Sequence, residues 1–123
     1  MALISKPLMQ IILYVKDMGS AVRFYHEILG LPIRYPAGLA DYADEMWVEF
    51  ETGDCTLALH GGDHEKPEGK HEIVFEVEDV EAARGAIIAG GIEMKPTRIL
   101  EDGAPIAEGI DPAGHRFAIR AST

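Results

Sequence analysis

The sequence contains a single cysteine, few basic residues and no long apolar run, and each scarcity excludes a class of protein. Cys55 is the only cysteine among 123 residues, so no internal disulfide forms and we expect a reducing, cytoplasmic location. The 11 Lys and Arg residues are outnumbered by 21 Asp and Glu, which argues against a nucleic-acid partner. No apolar run approaches the roughly 18–20 residues that span a bilayer, and no signal-peptide pattern is present, so we expect no membrane partner.

The remaining composition is that of an ordinary globular protein. Apolar residues make up 47% of the chain, enough for a hydrophobic core, so we expect one domain over residues 1–123. The formal net charge of −10 serves solubility and also favours a cationic ligand.

The chain repeats one pattern, in which a strand and a helix are followed by three more strands. The first copy begins at Gln10 and the second at Glu72, 62 positions later, and the predicted helix caps Asp17 and Asp79 have the same separation. The later strands are predicted over residues 33–35, 46–51, 56–60, 93–99, 105–110 and 116–120. Between the copies, the polar segment 61–70 is predicted to be a loop in which His64 is solvated.

Each predicted helix has an apolar stripe that should face its sheet. The two stripes are Met18, Ala21, Val22, Tyr25, Ile28 and Leu29, and then Val80, Ala83, Ile87 and Ile88. Gly30 and the pair Gly90-Gly91 are predicted to end the helices. Two copies of this unit define an α+β fold of two tandem βαβββ modules.

Alternation along the strands divides the residues of each sheet between two faces. The face predicted to lie under the helices carries Leu13, Phe50, Leu57, Leu59, Phe75, Phe117 and Ile119. The opposite face is predicted to be concave and carries Gln10, Ile12, Tyr14, Trp47, Glu49, Ala58, His60, Glu72, Val74, Glu76, Arg116, Ala118 and Arg120. Aromatic rings beside convergent charges are typical of a small-molecule pocket, although a solvated face or a subunit interface would show the same pattern.

Three stretches resemble the vicinal oxygen chelate superfamily, which includes glyoxalase I, bleomycin-resistance proteins, fosfomycin-resistance enzymes and extradiol dioxygenases. They are VKDMGSAVRFYHEILGL, FEVEDVEAARGAIIAGG and DPAGHRFAI, and together they extend over nearly the whole chain. The resemblance implies a cupped mixed sheet with a concave ligand face, built from module 1 at about 8–61 and module 2 at about 70–121. It also implies a homodimer, which would cover strand edges and apolar rims.

The resemblance further implies where a metal would bind. Metal-dependent members of the superfamily carry ligands at positions that correspond here to Gln10, Ala58, Glu72 and Ala118. Alanine offers no ligand atom, so we expect no metal cofactor at the full set of family positions. The alternative is a displaced divalent-metal site formed by Gln10, His60 and Glu72.

Two functions remain open from the sequence. The first is a small-molecule-binding protein of the glyoxalase/bleomycin-resistance type, whose ligand is cationic and aromatic. Its predicted ligand-binding residues are Gln10, Tyr14, Trp47, Glu49, His60, Glu76, Arg116 and Arg120. The second is a glyoxalase-like lyase or isomerase that uses the displaced metal site. In that enzyme Glu72 would be the catalytic base and Arg116 or Arg120 would stabilise an oxyanion; otherwise Glu72 is a pocket charge paired with an arginine.

Overall fold

The computed structural model describes residues 9–65 and 71–121, in which the predicted α+β architecture is found. Contacts divide the chain into two compact units, Met1–His64 and Glu65–Thr123, which we call the first half and the second half. Each half contains one four-stranded mixed sheet and one helical segment in the order βαβββ. The prediction of two tandem modules is therefore confirmed.

The first half contains a sheet with strand order β1-β4-β3-β2. Strands β1 and β4 are parallel, and the other neighbouring pairs are antiparallel. Its elements are β1 (Gln10–Tyr14), α1 (Met18–Val22), a π-helical segment (Arg23–Ile28), β2 (Ile33–Tyr35), β3 (Trp47–Glu51) and β4 (Thr56–His60).

The second half repeats this arrangement with strand order β5-β8-β7-β6. Strands β5 and β8 are parallel, and the other neighbouring pairs are antiparallel. Its elements are β5 (Glu72–Glu76), α2 (Val80–Ala89), β6 (Arg98–Ile99), β7 (Pro105–Ile110) and β8 (Arg116–Arg120).

Both helices begin at the predicted aspartates. The Ser20 backbone N–H donates to Asp17 Oδ1 over 3.1 Å, and the Ala82 N–H donates to Asp79 Oδ1 over 3.0 Å. Each bond satisfies a first-turn N–H that has no partner inside the helix. Within residues 9–65 and 71–121, no helix is long and apolar enough to cross a membrane.

The first helical segment departs from the regular stripe that its sequence predicts. It widens into a π-helix at Arg23, and the Leu29 N–H donates to the carbonyl of Phe24, five residues earlier, over 2.9 Å. The wider turn lets the consecutive rings of Phe24 and Tyr25 both become fully buried. The stripe predicted for a regular α-helix contains Tyr25 but not Phe24. The burial of Phe24 therefore corrects the prediction at this point.

The helix-facing sides of both sheets form the core as the alternation predicts. In the first half, Phe50 is fully buried and its ring centroid lies 6.0 Å from that of Tyr25. In the second half, α2 packs on β7 and β8, where Phe117 and Ile119 are buried. Phe75 lies opposite the buried Ile119 in the strand register, on the predicted face, but it is only half-buried.

The predicted strand over 93–99 is shorter in the structure. Only Arg98–Ile99 forms β6, and Met94 makes an isolated bridge to Gly109 of β7. Pro96 lies between these two contacts and has no N–H to donate, so a continuous ladder cannot form there.

Candidate functional site

The face of the first sheet that points away from the helix brings several predicted residues together. The strand register places Tyr14 beside His60 and His60 beside Trp47. One rung further along, Ala58 lies between Ile12 and Glu49. Three of the predicted ligand-binding side chains therefore form one row across β1, β4 and β3.

This row is part of a cluster of four rings, which we call the ring cluster: Tyr14, Trp47, His60 and His64. The His60 centroid lies 5.2 Å from Tyr14, 5.9 Å from Trp47 and 5.4 Å from His64. These separations are those of interacting aromatic pairs. Tyr14 is 50% exposed and Trp47 is half-buried, so the cluster offers ring surface to a ligand.

His64 was expected to be solvated, and the structure corrects this. Its ring centroid lies 5.0 Å from that of Tyr14, and the side chain is half-buried. His60 Nδ1 and His64 Nε2 each lie 3.0 Å from the carbonyl oxygen of Gly61. A shared hydrogen-bond partner thus holds the two imidazoles side by side. The sequence signal for this position of His64 was its short spacing from His60. The signal was missed because the segment was predicted to be a polar loop.

Glu49 fixes the orientation of Trp47. The Trp47 indole N–H donates to Glu49 Oε2 over 2.7 Å, while Arg34 Nη1 donates to Oε1 over 2.5 Å. Both carboxylate oxygens therefore have donors within the first half. Glu49 was predicted as a ligand-binding residue, but Arg34 already neutralises its charge, which leaves it a poor counter-charge for a cationic ligand.

Gln10 and His60 do not converge on a common point. Gln10 pairs with Thr56 in the strand register, and its amide donates to Thr56 Oγ1 over 3.0 Å. His60 pairs with Tyr14, four residues further along β1, a distance of about 13 Å on a strand. The displaced metal site requires both side chains as ligands, and this separation disfavours that alternative.

The family's metal positions do not fit a metal ion in this chain. Ala58 and Ala118 are fully buried and carry only methyl groups. Across the described residues 9–65 and 71–121, no group of three or more His, Cys, Asp and Glu side chains could hold a metal ion. The structure therefore gives no basis for a reaction step through a bound metal.

The second half places a row of charged side chains on the equivalent face. Glu72 lies opposite Arg116, and Glu108 lies opposite Ala118. The carboxyl groups of Glu72 and Glu108 interact, and Arg98 Nε donates to Glu108 Oε1 over 3.0 Å. Glu108 was not predicted as a site residue, because only the strand register reveals that it is next to Ala118.

The two carboxyl groups have pKa values shifted in opposite directions. Burial raises the pKa of Glu72, and the hydrogen bond and charge of Glu108 raise it further, against smaller opposing effects of Arg116 and Arg98. The hydrogen bond from Arg98 lowers the pKa of Glu108, although burial opposes this shift. Glu72 is therefore the carboxyl group of the pair with the higher pKa.

A cavity of about 580 Å³ opens beside this carboxyl pair, within the second half. Its apolar walls include Ile88, Ile92 and Ile110, and its polar groups include Glu72, Glu108 and Arg116. Ile88 was predicted in the buried stripe of α2 but is 42% exposed, because it faces the cavity and Ile87 takes the core position. Apolar walls with a few convergent polar groups are typical of a ligand pocket.

Gly109 allows the segment after α2 to approach β7 and line the cavity. A Cβ atom at Gly109 would lie 2.9 Å from Phe117 Cζ and 3.0 Å from the Glu93 carbonyl oxygen. The Lys95 N–H donates to the carbonyl of Glu108 over 2.9 Å, which holds the segment in place. Glu93 and Lys95 thereby become part of the cavity lining.

Two predicted ligand-binding residues of the second half lie apart from this cavity. Arg120 Nη2 donates to Asp102 Oδ2 over 3.0 Å, so its guanidinium is engaged by the turn before β7. Glu76 is exposed and lies opposite Arg120 in the strand register. Neither residue lines the cavity beside Glu72.

Comparison with known proteins identifies the family. The sequence model of the Glyoxalase/Bleomycin resistance protein/Dioxygenase superfamily matches residues 8–119. The chain belongs to this superfamily, and the resemblance inferred from its motifs is confirmed.

Individual relatives agree with this assignment. The uncharacterized protein YraH of Bacillus subtilis (strain 168) is 30% identical over 115 residues, covering 85% of this chain and 90% of YraH. A lactoylglutathione lyase structure from Agrobacterium tumefaciens is 21% identical with a TM-score of 0.72, covering 96% of this chain and 95% of the lyase. The fosfomycin resistance protein FosX from Mesorhizobium loti is 18% identical with a TM-score of 0.75, covering 98% and 95%. At these identities, the two structures show a shared fold alone.

Proposed function

We propose that this protein binds a small organic molecule with a planar ring system, and that it does so without a metal ion. The observation that carries the proposal is the ring cluster on the outer face of the first sheet. Planar ligands gain apolar contact and stacking energy from such rings, and an aromatic pair contributes roughly 0.5–1.5 kcal/mol beyond its buried area.

The orientation of Trp47 supports a binding role. Its indole N–H is held by Glu49, and Glu49 is in turn held by Arg34. A ring fixed in this way loses little side-chain freedom when a ligand binds, which favours affinity. Because Arg34 neutralises Glu49, the proposal requires a planar ring and leaves the charge of the ligand open.

The proposal requires no metal ion because of the residues at the positions where metal-dependent members of the superfamily carry ligands. Ala58 and Ala118 provide no ligand atoms, and Gln10 and His60 are separated along the strands. The superfamily is named for bleomycin resistance proteins as well as for glyoxalases and dioxygenases.

The test uses the single tryptophan of the chain. Titration with a library of planar aromatic compounds is expected to quench or shift Trp47 emission, and Trp47→Ala should weaken binding about tenfold or more, or roughly 1.4 kcal/mol. Trp47→Phe keeps a ring and should retain most of the affinity. If bound compounds leave the emission unchanged while Trp47→Ala costs about 3–5 kcal/mol of stability, Trp47 is a core residue and the proposal is wrong.

A second candidate function is proton transfer by Glu72, which the cavity beside Arg116 favours. The raised pKa of Glu72 supplies an acid and base closer to neutrality, and Arg116 could stabilise an oxyanion. We expect wild type, and not Glu72→Gln, to accelerate deuterium exchange at the methyl group of pyruvate in D₂O. Equal exchange in both proteins would leave binding as the proposed function.

A further inference from the structure

We propose that Arg116 makes the cavity of the second half a receptor for the carboxylate group of a small, otherwise apolar molecule. This inference goes beyond the proposed function, which concerns the ring cluster of the first half. It depends on that function only in taking the occupant to be a small organic molecule.

Arg116 is one of the two cations that line the cavity, together with Lys95. In the described parts of the chain, ion pairs join Arg34, Arg98 and Arg120 to carboxylates, whereas no ion pair joins Arg116 to one. Arg116 is exposed and lines the cavity. A guanidinium presents a planar fork of N–H donors that matches the two oxygens of a carboxylate.

The neighbouring carboxyl groups interact with each other. Glu72 lies opposite Arg116 in the strand register and interacts with Glu108, whose Oε1 accepts from Arg98. A guanidinium has five N–H donors, so Arg116 can bind a ligand carboxylate while it lies beside Glu72.

A second cation also lines the cavity. Lys95 adds an ammonium group to the guanidinium of Arg116, and Glu93 adds one exposed anion. The Glu108 carboxylate is paired with Arg98, which lies outside the lining. An anionic group on the occupant would therefore find two cations in the lining, of which Arg116 presents the planar fork.

The walls of the cavity define the rest of the occupant. Ile88 and Ile110 are 42% and 49% exposed, and both line the cavity together with Ile92. Contact with an apolar body would remove this surface from water, which is favourable. The occupant is thus an aliphatic or aromatic monocarboxylic acid.

Three probes of similar shape and different charge test the assignment: benzoate, benzamide and benzamidine. Each is titrated at neutral pH into protein with ¹³C-labelled isoleucine methyl groups and ¹⁵N-labelled tryptophan. We expect benzoate to shift the Ile92 and Ile110 methyl signals with an affinity about tenfold or more above that of benzamide. Benzamidine should bind more weakly than benzamide.

Variants connect the preference to Arg116. Arg116→Gln should reduce benzoate affinity to that of benzamide, while Arg116→Lys, which keeps the charge and loses the fork, should give an intermediate value. Arg23→Gln, an equal change of charge on the helical segment of the first half, should leave benzoate binding unchanged. An intact ¹⁵N spectrum for each variant shows that the fold is preserved.

The outcomes separate this inference from the proposed function. Equal binding of all three probes, a preference for benzamidine, or no shift of the Ile92 and Ile110 methyl groups would overturn the carboxylate assignment. A benzoate preference that survives Arg116→Gln would also overturn it. The Trp47 indole signal in the same spectra reports on the ring cluster, so the proposed function can stand when the inference falls.

Discussion

Two alanines show how single residues change the chemistry of the sheets. Ala58 has Glu49 beside it on the neighbouring strand, and Ala118 has Glu108 beside it in the same relation. An arginine from the next strand pairs with each glutamate. In each half, therefore, a carboxylate lies on the strand next to a position where metal-dependent relatives carry a ligand, about 4.8 Å away. An arginine of the protein forms an ion pair with this carboxylate. These carboxylates organise Trp47 and Glu72 rather than a metal.

At the residue scale, the carboxyl pair gives a direct prediction. ¹³C NMR titration should find the pKa of Glu72 above, and that of Glu108 below, that of an ordinary glutamate. Glu108→Gln should lower the pKa of Glu72, because it removes a neighbouring negative charge. Glu101→Gln, in the exposed turn before β7, is the control and should leave Glu72 unchanged.

The raised pKa of Glu72 also makes the stability of the folded protein depend on pH. Between the ordinary pKa and the raised pKa of Glu72, the folded protein binds more protons than the unfolded chain, so stability falls as pH rises through this window. Glu72→Gln should remove that part of the pH dependence. The carboxyl-pair description would be contradicted if Glu108 titrated at the higher pH.

At the scale of the element, β7 depends on a glycine that α2 does not need. A methyl group at Gly109 would lie 2.9 Å from the Phe117 ring, so Gly109→Ala should destabilise the protein by about 1–3 kcal/mol. Gly85 in α2 has open space around it, so Gly85→Ala should stabilise by about 0.5–1 kcal/mol. Urea unfolding of both variants measures the difference. Equal effects would mean that the segment containing Glu93 does not pack closely on β7.

Elements with strong local signals could be predicted from the sequence, and those set by tertiary contacts could not. Asp17 and Asp79 cap their helices as predicted, because an N-cap bond is made within three residues. The π-helical turn that buries Phe24 depends on how the first helical segment meets its sheet. A periodic stripe carries no information about that contact.

At the scale of the whole molecule, the repeated βαβββ pattern made the fold predictable from the sequence. The candidate site could be predicted only in part. Alternation placed Tyr14, Trp47 and His60 on one face, and the register brings them together. Glu108 could not be found in this way, because its role follows from a cross-strand neighbour. For His64 the only sequence signal was its short spacing from His60, since its position depends on the path of a loop.

The homodimer stays a prediction about the assembled molecule. The sheets end in edge strands, and Ile12 on β1 and Val74 on β5 are 40% and 50% exposed. Edge strands with apolar side chains are favoured surfaces for association. We expect light scattering at micromolar concentration to give twice the monomer mass of 13.4 kDa. A clean monomer would contradict the expectation.

The central claim is that this chain binds a planar organic ligand without a metal ion. The most direct measurement is Trp47 emission during titration with a bound planar compound, in protein treated with a chelator and verified to be metal-free by elemental analysis. The account predicts the same saturable change, with the same affinity, before treatment and after it. Loss of the change on chelation, with recovery on adding zinc, nickel or manganese, would contradict the account and return the metal-dependent alternative to first place.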